Sequence, residues 1–349
     1  MPHEPDQEHP QQLLQQQLPQ PVDASARGRQ SRSRTPDAVR VGRPQSGTGE
    51  RRMSTGDVHG RLARLDAWLQ LVRVPTLFTA WSNVIAAHLI ATLGSPHWRL
   101  LALQLAIATC LYWASMILND CFDLGRDRVA HPERPLPSGR IAPRAAWAAG
   151  FGLLAAGVVL GLLAGPGPFV LTLLLAAVIL AYVGGIKHRG PGPLLLALAR
   201  WLNWLLGLSA GLVLIPELLL ALPVLLYTLA FAVLHRAGTA PSSRGVRRAV
   251  VVLGLALAAA LALYPLGILT DPYAVALTAL GGALLLRRLL RLKQDPTRAR
   301  VRASVAFMLL CSIALDALLL AGDGQRLAAA LLLTLLVPVW LLGYRVPPT

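Results

Sequence analysis

Ten apolar runs follow one another between residues 74 and 343. Each is about 18–22 residues long, enough for a helix to cross a ~30 Å hydrocarbon core. Inside lipid a helix satisfies every backbone polar group within its own segment, so long runs of this kind admit few other folds. The spans are predicted at 74–94, 99–118, 144–164, 168–186, 193–214, 217–235, 246–269, 272–290, 303–321 and 326–343. They leave no room for a soluble domain after about residue 74. The expectation is an all-α integral membrane protein, a bundle of nine to ten transmembrane helices.

A formal charge of +16 would point a soluble chain towards nucleic acid. Its distribution excludes that partner. Loops 119–144, 185–200, 235–248 and 287–302 hold nineteen Lys/Arg residues, whereas the opposite loops hold only Arg99 and Arg326. This alternation follows the positive-inside rule and predicts a multi-pass membrane protein with both termini cytoplasmic. A basic cytoplasmic face suits anionic lipid headgroups and phosphorylated ligands. Cys110, Cys121 and Cys311 lie far apart and make no metal-ligand spacing.

Residues 1–60 are rich in Gln, Pro, Arg and Ser without a sustained apolar period, and are expected to be a disordered extension. Everything with a recognisable pattern lies after Met53, which makes that methionine a candidate start. The stretch "RLARLDAWLQLVRVP" (61–75) is expected to be an amphipathic helix on the membrane surface. Residues 61–345 then form one transmembrane domain.

After residue 73 only nine carboxylates remain: Asp120, Asp123, Asp127, Glu133, Glu217, Asp271, Asp295, Asp316 and Asp323. Four of the nine fall in "LNDCFDLGRDRVAHPERPLPSGRI" (118–141), directly after a run apolar enough for lipid. On a helix Asp120, Asp123 and Asp127 lie within about 60° of one another, with Asn119 at the edge of the same face. Three carboxylates so close repel one another unless a cation compensates. Hard oxygen ligands of this kind favour Mg²⁺, which completes its shell with water and substrate phosphate. The same pattern on a solvated helix end would be a surface network with Arg126 and Arg128.

The order N-D-x-x-D-x-x-x-D, followed by P-x-R-P-L-P-S-G, resembles the first aspartate-rich motif of the UbiA superfamily of intramembrane prenyltransferases. "LVRVPTLFTAWSNVIAAHLIA" (71–91), with Arg73 and Pro75, resembles that family's first span. "YVGGIKHRGPGPLLLALARWLNWLLG" (182–207) resembles the segment after its fourth span. The resemblance implies a UbiA-like bundle with a central cavity open to lipid, in which Mg²⁺ on Asp120, Asp123 and Asp127 holds an isoprenoid diphosphate donor. Transfer of the prenyl group to a small acceptor, aromatic or otherwise lipophilic, is the activity implied. Asn119, Arg134, Arg140, Lys187, Arg200 and Asn203 are the substrate-binding residues implied with it, arginine matching phosphate oxygens in bidentate fashion. The positive-inside rule by itself also places Lys/Arg in these loops.

The chain departs from the family where a second motif, D-x-x-x-D, belongs at the end of span six. There it reads "AVLHRAGTAPSSRGVRR" (232–248), without an acid. His235, Arg236 and Arg244 are the side chains left to meet the charge of a leaving diphosphate. This departure and the tenth span resemble the EboC-type UbiA-like subgroup, which implies a rival reading as a non-catalytic diphosphate binder or export accessory. Asp316, near the middle of span nine, is costly in lipid if charged and unpaired. It is either a structural acid bonded to a neighbouring helix or the proton carrier of a transporter, for which inverted repeats and broken helices are expected and not seen.

Overall fold

The computed structural model describes residues 55–238 and 241–345. Of the expected disordered extension 1–60, residues up to 54, Met53 among them, lie outside the described ones, whereas 55–60 are helical. Helix α1 (Thr55–Val72) leads into α2 (Val74–Ala91), α3 (Trp98–Ala130), α4 (Pro143–Ala164) and α5 (Pro166–Val183). A 3-10 turn at Ile186–His188 precedes α6 (Gly192–Leu208) and α7 (Ile215–Ala237). The chain continues through α8 (Ser243–Ala262), α9 (Pro272–Gln294), α10 (Arg298–Gly322), α11 (Arg326–Leu333) and α12 (Leu336–Arg345).

Among the described residues eight helices, α2–α5 and α7–α10, are long and apolar enough to cross a membrane. The fifth expected span is the shorter α6, and the tenth is broken after Leu333 into α11 and α12. The helix expected from residue 61 begins earlier, at Thr55, and exposes Leu62, Leu65 and Leu69. The largest departure is α3. Its apolar run stops at Leu118, yet the helix continues for twelve residues to Ala130 with Asp120 and Asp127 buried.

Local chemistry explains most helix starts. Pro143, Pro166, Pro216 and Pro272 stand in first turns, where a missing N–H costs nothing. Ser242, Asp271 and Thr297 cap α8, α9 and α10 by accepting backbone N–H groups. Helix α2 lies at the centre and packs on α3, α6, α10, α11 and α12, while α3 to α10 follow one another and α10 returns to α2. The main core gathers Ile107, Leu111, Leu175, Trp204 and Leu206 around α2. At Gly207 the backbones of α6 and α2 touch, since a Cβ there would lie 2.6 Å from the Val84 carbonyl oxygen. Small residues permit this close approach between membrane helices, where dispersion and hydrogen bonding replace the hydrophobic effect.

Candidate active site at the end of α3

The extra turns of α3 carry the acids, and each acid meets a cation from a different segment. Arg73, between α1 and α2, places Nη2 3.3 Å from Asp120 Oδ1. Lys187, in the 3-10 turn, donates from Nζ to Asp123 Oδ2 at 2.6 Å and to Asn119 Oδ1 at 2.7 Å. Arg134, in the loop after α3, places Nη1 2.9 Å from Asp127 Oδ2. The repulsion expected among three clustered carboxylates is thus offset residue by residue. Two further groups attend Asp123: His188 Nε2 at 3.4 Å and Arg126 Nη1 at 3.8 Å, themselves hydrogen-bonded. Gly185, at φ +122°, turns the chain sharply after α5 so that Lys187 faces α3. A cleft of about 340 Å³ opens beside Asp123, Lys187 and His188.

One and two turns deeper along α3, Ser115 and Tyr112 border a second cavity of about 130 Å³ between α2, α3, α5 and α6. Its wall is mostly apolar, with Leu111, Leu175 and Ile179. The polar exceptions are Tyr112, Ser115, Arg200 and Asn203. Arg200 donates from Nη1 and Nη2 to the Thr79 carbonyl and Oγ1, at 2.7 and 2.8 Å. Asn203 Nδ2 donates to the Ala80 carbonyl at 3.0 Å. The Tyr112 hydroxyl is hydrogen-bonded to Thr76 Oγ1. Charged groups at the helix end therefore stand over an apolar chamber with a few polar contacts.

A family profile described as the UbiA prenyltransferase family matches residues 80–313. The chain belongs to that family.

This UbiA family member is 31% identical over 151 residues to a digeranylgeranylglyceryl phosphate synthase of Metallosphaera sedula, 41% of this chain and 51% of the relative. It is 36% identical over 132 residues to one of Ignicoccus hospitalis, 38% of this chain and 43% of that protein. The chain spans about half the length of these curated relatives. Among solved structures it resembles one described as giving insights into the biosynthesis of digeranylgeranylglyceryl phosphate synthase in membranes. The TM-score is 0.62 at 22% identity, covering 74% of this chain and 98% of the other. A UbiA homologue of Archaeoglobus fulgidus bound to GPP and Mg²⁺ gives 0.58 at 16%, covering 77% and 99%. These likenesses establish the fold, a multi-pass integral membrane bundle.

Among the described residues no three His, Cys, Asp or Glu side chains are gathered as a ready metal cage. The donor set nonetheless suits a hard cation, because Asn119 Oδ1 and Asp123 Oδ2 already converge on one positive centre, the Lys187 ammonium. Of the implied substrate-binding residues, Asn119, Arg134 and Lys187 join the aspartates directly. Arg200 and Asn203 lie deeper, at the apolar chamber. Arg140 is not brought to the acids: exposed, it donates to Gln70 Oε1 and the Glu133 carbonyl, both at 3.0 Å, tying the loop to α1. Arg236 does not point at an open site either, since its guanidinium donates to the carbonyls of Arg189, Gly190 and His188 and braces the 3-10 turn. Arg244 is exposed, and the His235 ring stacks on Phe231.

Sequence reasoning did not nominate Arg73, His188 or Tyr112. Arg73 stood in the quoted "LVRVP", where an arginine before a helix-starting proline was a usable signal. For Tyr112 and His188 only the three-dimensional arrangement supplies one. Asp316, fully buried, accepts from Ser82 Oγ at 2.6 Å, from Asn83 Nδ2 at 2.8 Å and from Trp204 Nε1 at 2.9 Å. It joins α10 to α2 and α6 and lines neither cavity.

Proposed function

We propose that this protein is a Mg²⁺-dependent intramembrane prenyltransferase that moves a prenyl group from an isoprenoid diphosphate to a lipophilic acceptor. The observation that carries the reading is the stacking of a compensated aspartate cluster over an apolar chamber on one helix, α3. Asn119, Asp120, Asp123 and Asp127 would hold the metal, which supplies charge neutralisation of the leaving diphosphate. Lys187, Arg134 and Arg73 would then release carboxylates to the metal and turn to phosphate oxygens. Leu111, Leu175 and Ile179 keep water from the reacting carbon, and Arg200 and Asn203 orient the acceptor's polar group. The basic loops, and with them the aspartates, face the cytoplasm; reporters fused in the 119–144 loop and at the 165–168 turn should read opposite sides.

The product for which the relatives are named, digeranylgeranylglyceryl phosphate, favours a lipid acceptor beside the small aromatic one implied by the family resemblance. Geranylgeranyl diphosphate supplied with Mg²⁺ and each acceptor class in turn should release diphosphate only with the matching acceptor. One observation favours a second reading. The end of α7 offers no carboxylate, and Arg236 there is engaged with the 3-10 turn, as fits a diphosphate binder without turnover. Mg²⁺-dependent donor binding with no diphosphate released by either acceptor would decide for that binder.

A further inference from the structure

We propose that the joined ends of α8, α9 and α10 form a binding surface for anionic phospholipid headgroups, separate from the aspartate site on α3. Three arginines at 244–248, four basic residues at 287–293 and three at 298–302 are all exposed. Asp295 is the one carboxylate in these turns, and it is engaged by Arg300. The contrast with the end of α3 is direct, since there each aspartate is matched by a cation, whereas here nine of the ten cations have no carboxylate partner among the described residues. The three ends are knit together. Ser243 Oγ donates to the Lys293 carbonyl at 3.2 Å, and the Arg288 guanidinium lies 4.6 Å from the centre of the Phe307 ring.

The next turns inward identify the partner. Val251 on α8, Leu284 on α9 and Phe307 on α10 are exposed large hydrophobics, on helices that span the membrane. A surface with lipid-facing apolar residues on one side and uncompensated cations immediately beyond lies at headgroup level, where anionic lipid attracts Lys and Arg within a Debye length. RNA would have to approach the same charges across the headgroup layer, so an anionic lipid already in that plane is the favoured occupant.

The test uses the full chain in nanodiscs of phosphatidylcholine alone or mixed with phosphatidylglycerol. Phosphatidylglycerol should raise the unfolding temperature, and high salt should cancel the gain. R287Q/R291Q/K293Q should melt with wild type in pure phosphatidylcholine and lose the gain, while R287K/R291K keeps it. Should the glutamine variant fail to fold, mass spectrometry of the native wild type should find phosphatidylglycerol retained over phosphatidylcholine, and retention without preference overturns the proposal. Equal unfolding temperatures in the two lipids overturn it, as does a gain that survives in the glutamine variant. A gain reproduced in pure phosphatidylcholine by inorganic phosphate or a short RNA assigns the surface to a soluble anion or to nucleic acid instead, and also overturns it.

Discussion

Replacing Asp316 removes the acceptor on which three helices converge. The loss can be worked out donor by donor. Ser82 Oγ has a second acceptor, the Thr79 carbonyl at 3.0 Å, and can turn to it. The Asn83 amide donates to both Asp316 oxygens and to nothing else, and Trp204 Nε1 donates to Asp316 Oδ1 alone. In Asp316→Ala two buried donors are stranded, at about 1–3 kcal/mol each, for a total of about 2–6 kcal/mol. Against a stability of about 5–15 kcal/mol, this is a large fraction. Asp316→Asn should also destabilise, because its new amide confronts the amide of Asn83. Exchanging the pair, Asn83→Asp with Asp316→Asn, restores a donor opposite an acceptor and keeps one buried carboxylate between α2 and α10. Thermal unfolding in detergent, followed by the monodisperse fraction left after heating, should rank wild type first, the double variant next, then the single variants. An Asp316→Ala protein that melts with wild type, or a double variant no better than Asp316→Asn, refutes the reasoning.

Asp123→Ala should weaken Mg²⁺-dependent donor binding, measured by calorimetry, while melting near wild type, because Asp123 is the most solvent-accessible of the three aspartates; undiminished affinity removes Asp123 from the site. Gly207→Val should cost about 1–3 kcal/mol or more by forcing α6 away from α2, and a variant of unchanged unfolding temperature contradicts the close contact. On the opposite side of the bundle, Asp271 caps α9 and pairs with Arg326, whose hydrogen bond holds the carboxyl below its ordinary value. A group depressed on folding contributes stability above its unfolded pKa of about 3.9 and loses it as pH falls through the folded value. Acid titration of stability below about pH 4 should therefore be shallower in Asp271→Asn than in wild type, and identical curves would remove the pair as a source of acid sensitivity.

The helical bundle was legible because run length and loop charge are local signals, and membrane spans are governed by local hydropathy. Termination was less so. The span expected to stop at 118 continued because Asp120 and Asp127 found Arg73 and Arg134, partners 47 and 7 residues away. Partner identity across the bundle has no signature in the acids themselves. The aspartate face could be read from helical spacing, but spacing does not reveal that Lys187 bridges Asn119 and Asp123, or that Arg236 turns to backbone carbonyls. Asp316 was visible as an anomaly in span nine; its three donors, more than 230 residues away on α2 and 112 away on α6, were not.

The joint between α1 and α2 holds a clue about what selection has kept. Arg73 sits at φ 50°, ψ 55°, a left-handed conformation that costs a side-chain-bearing residue roughly 1–2 kcal/mol. Its carbonyl begins α2 by accepting from Thr76, a task any residue could perform. Glycine would be the relaxed occupant, but it would leave the Asp120 carboxylate, only 7% exposed, without this cation. Arg73→Gly should consequently melt below the wild-type temperature although its backbone is relaxed. The left-handed arginine is thus held at the joint by the buried acid it reaches, and the start of α2 and the end of α3 are tied through one side chain.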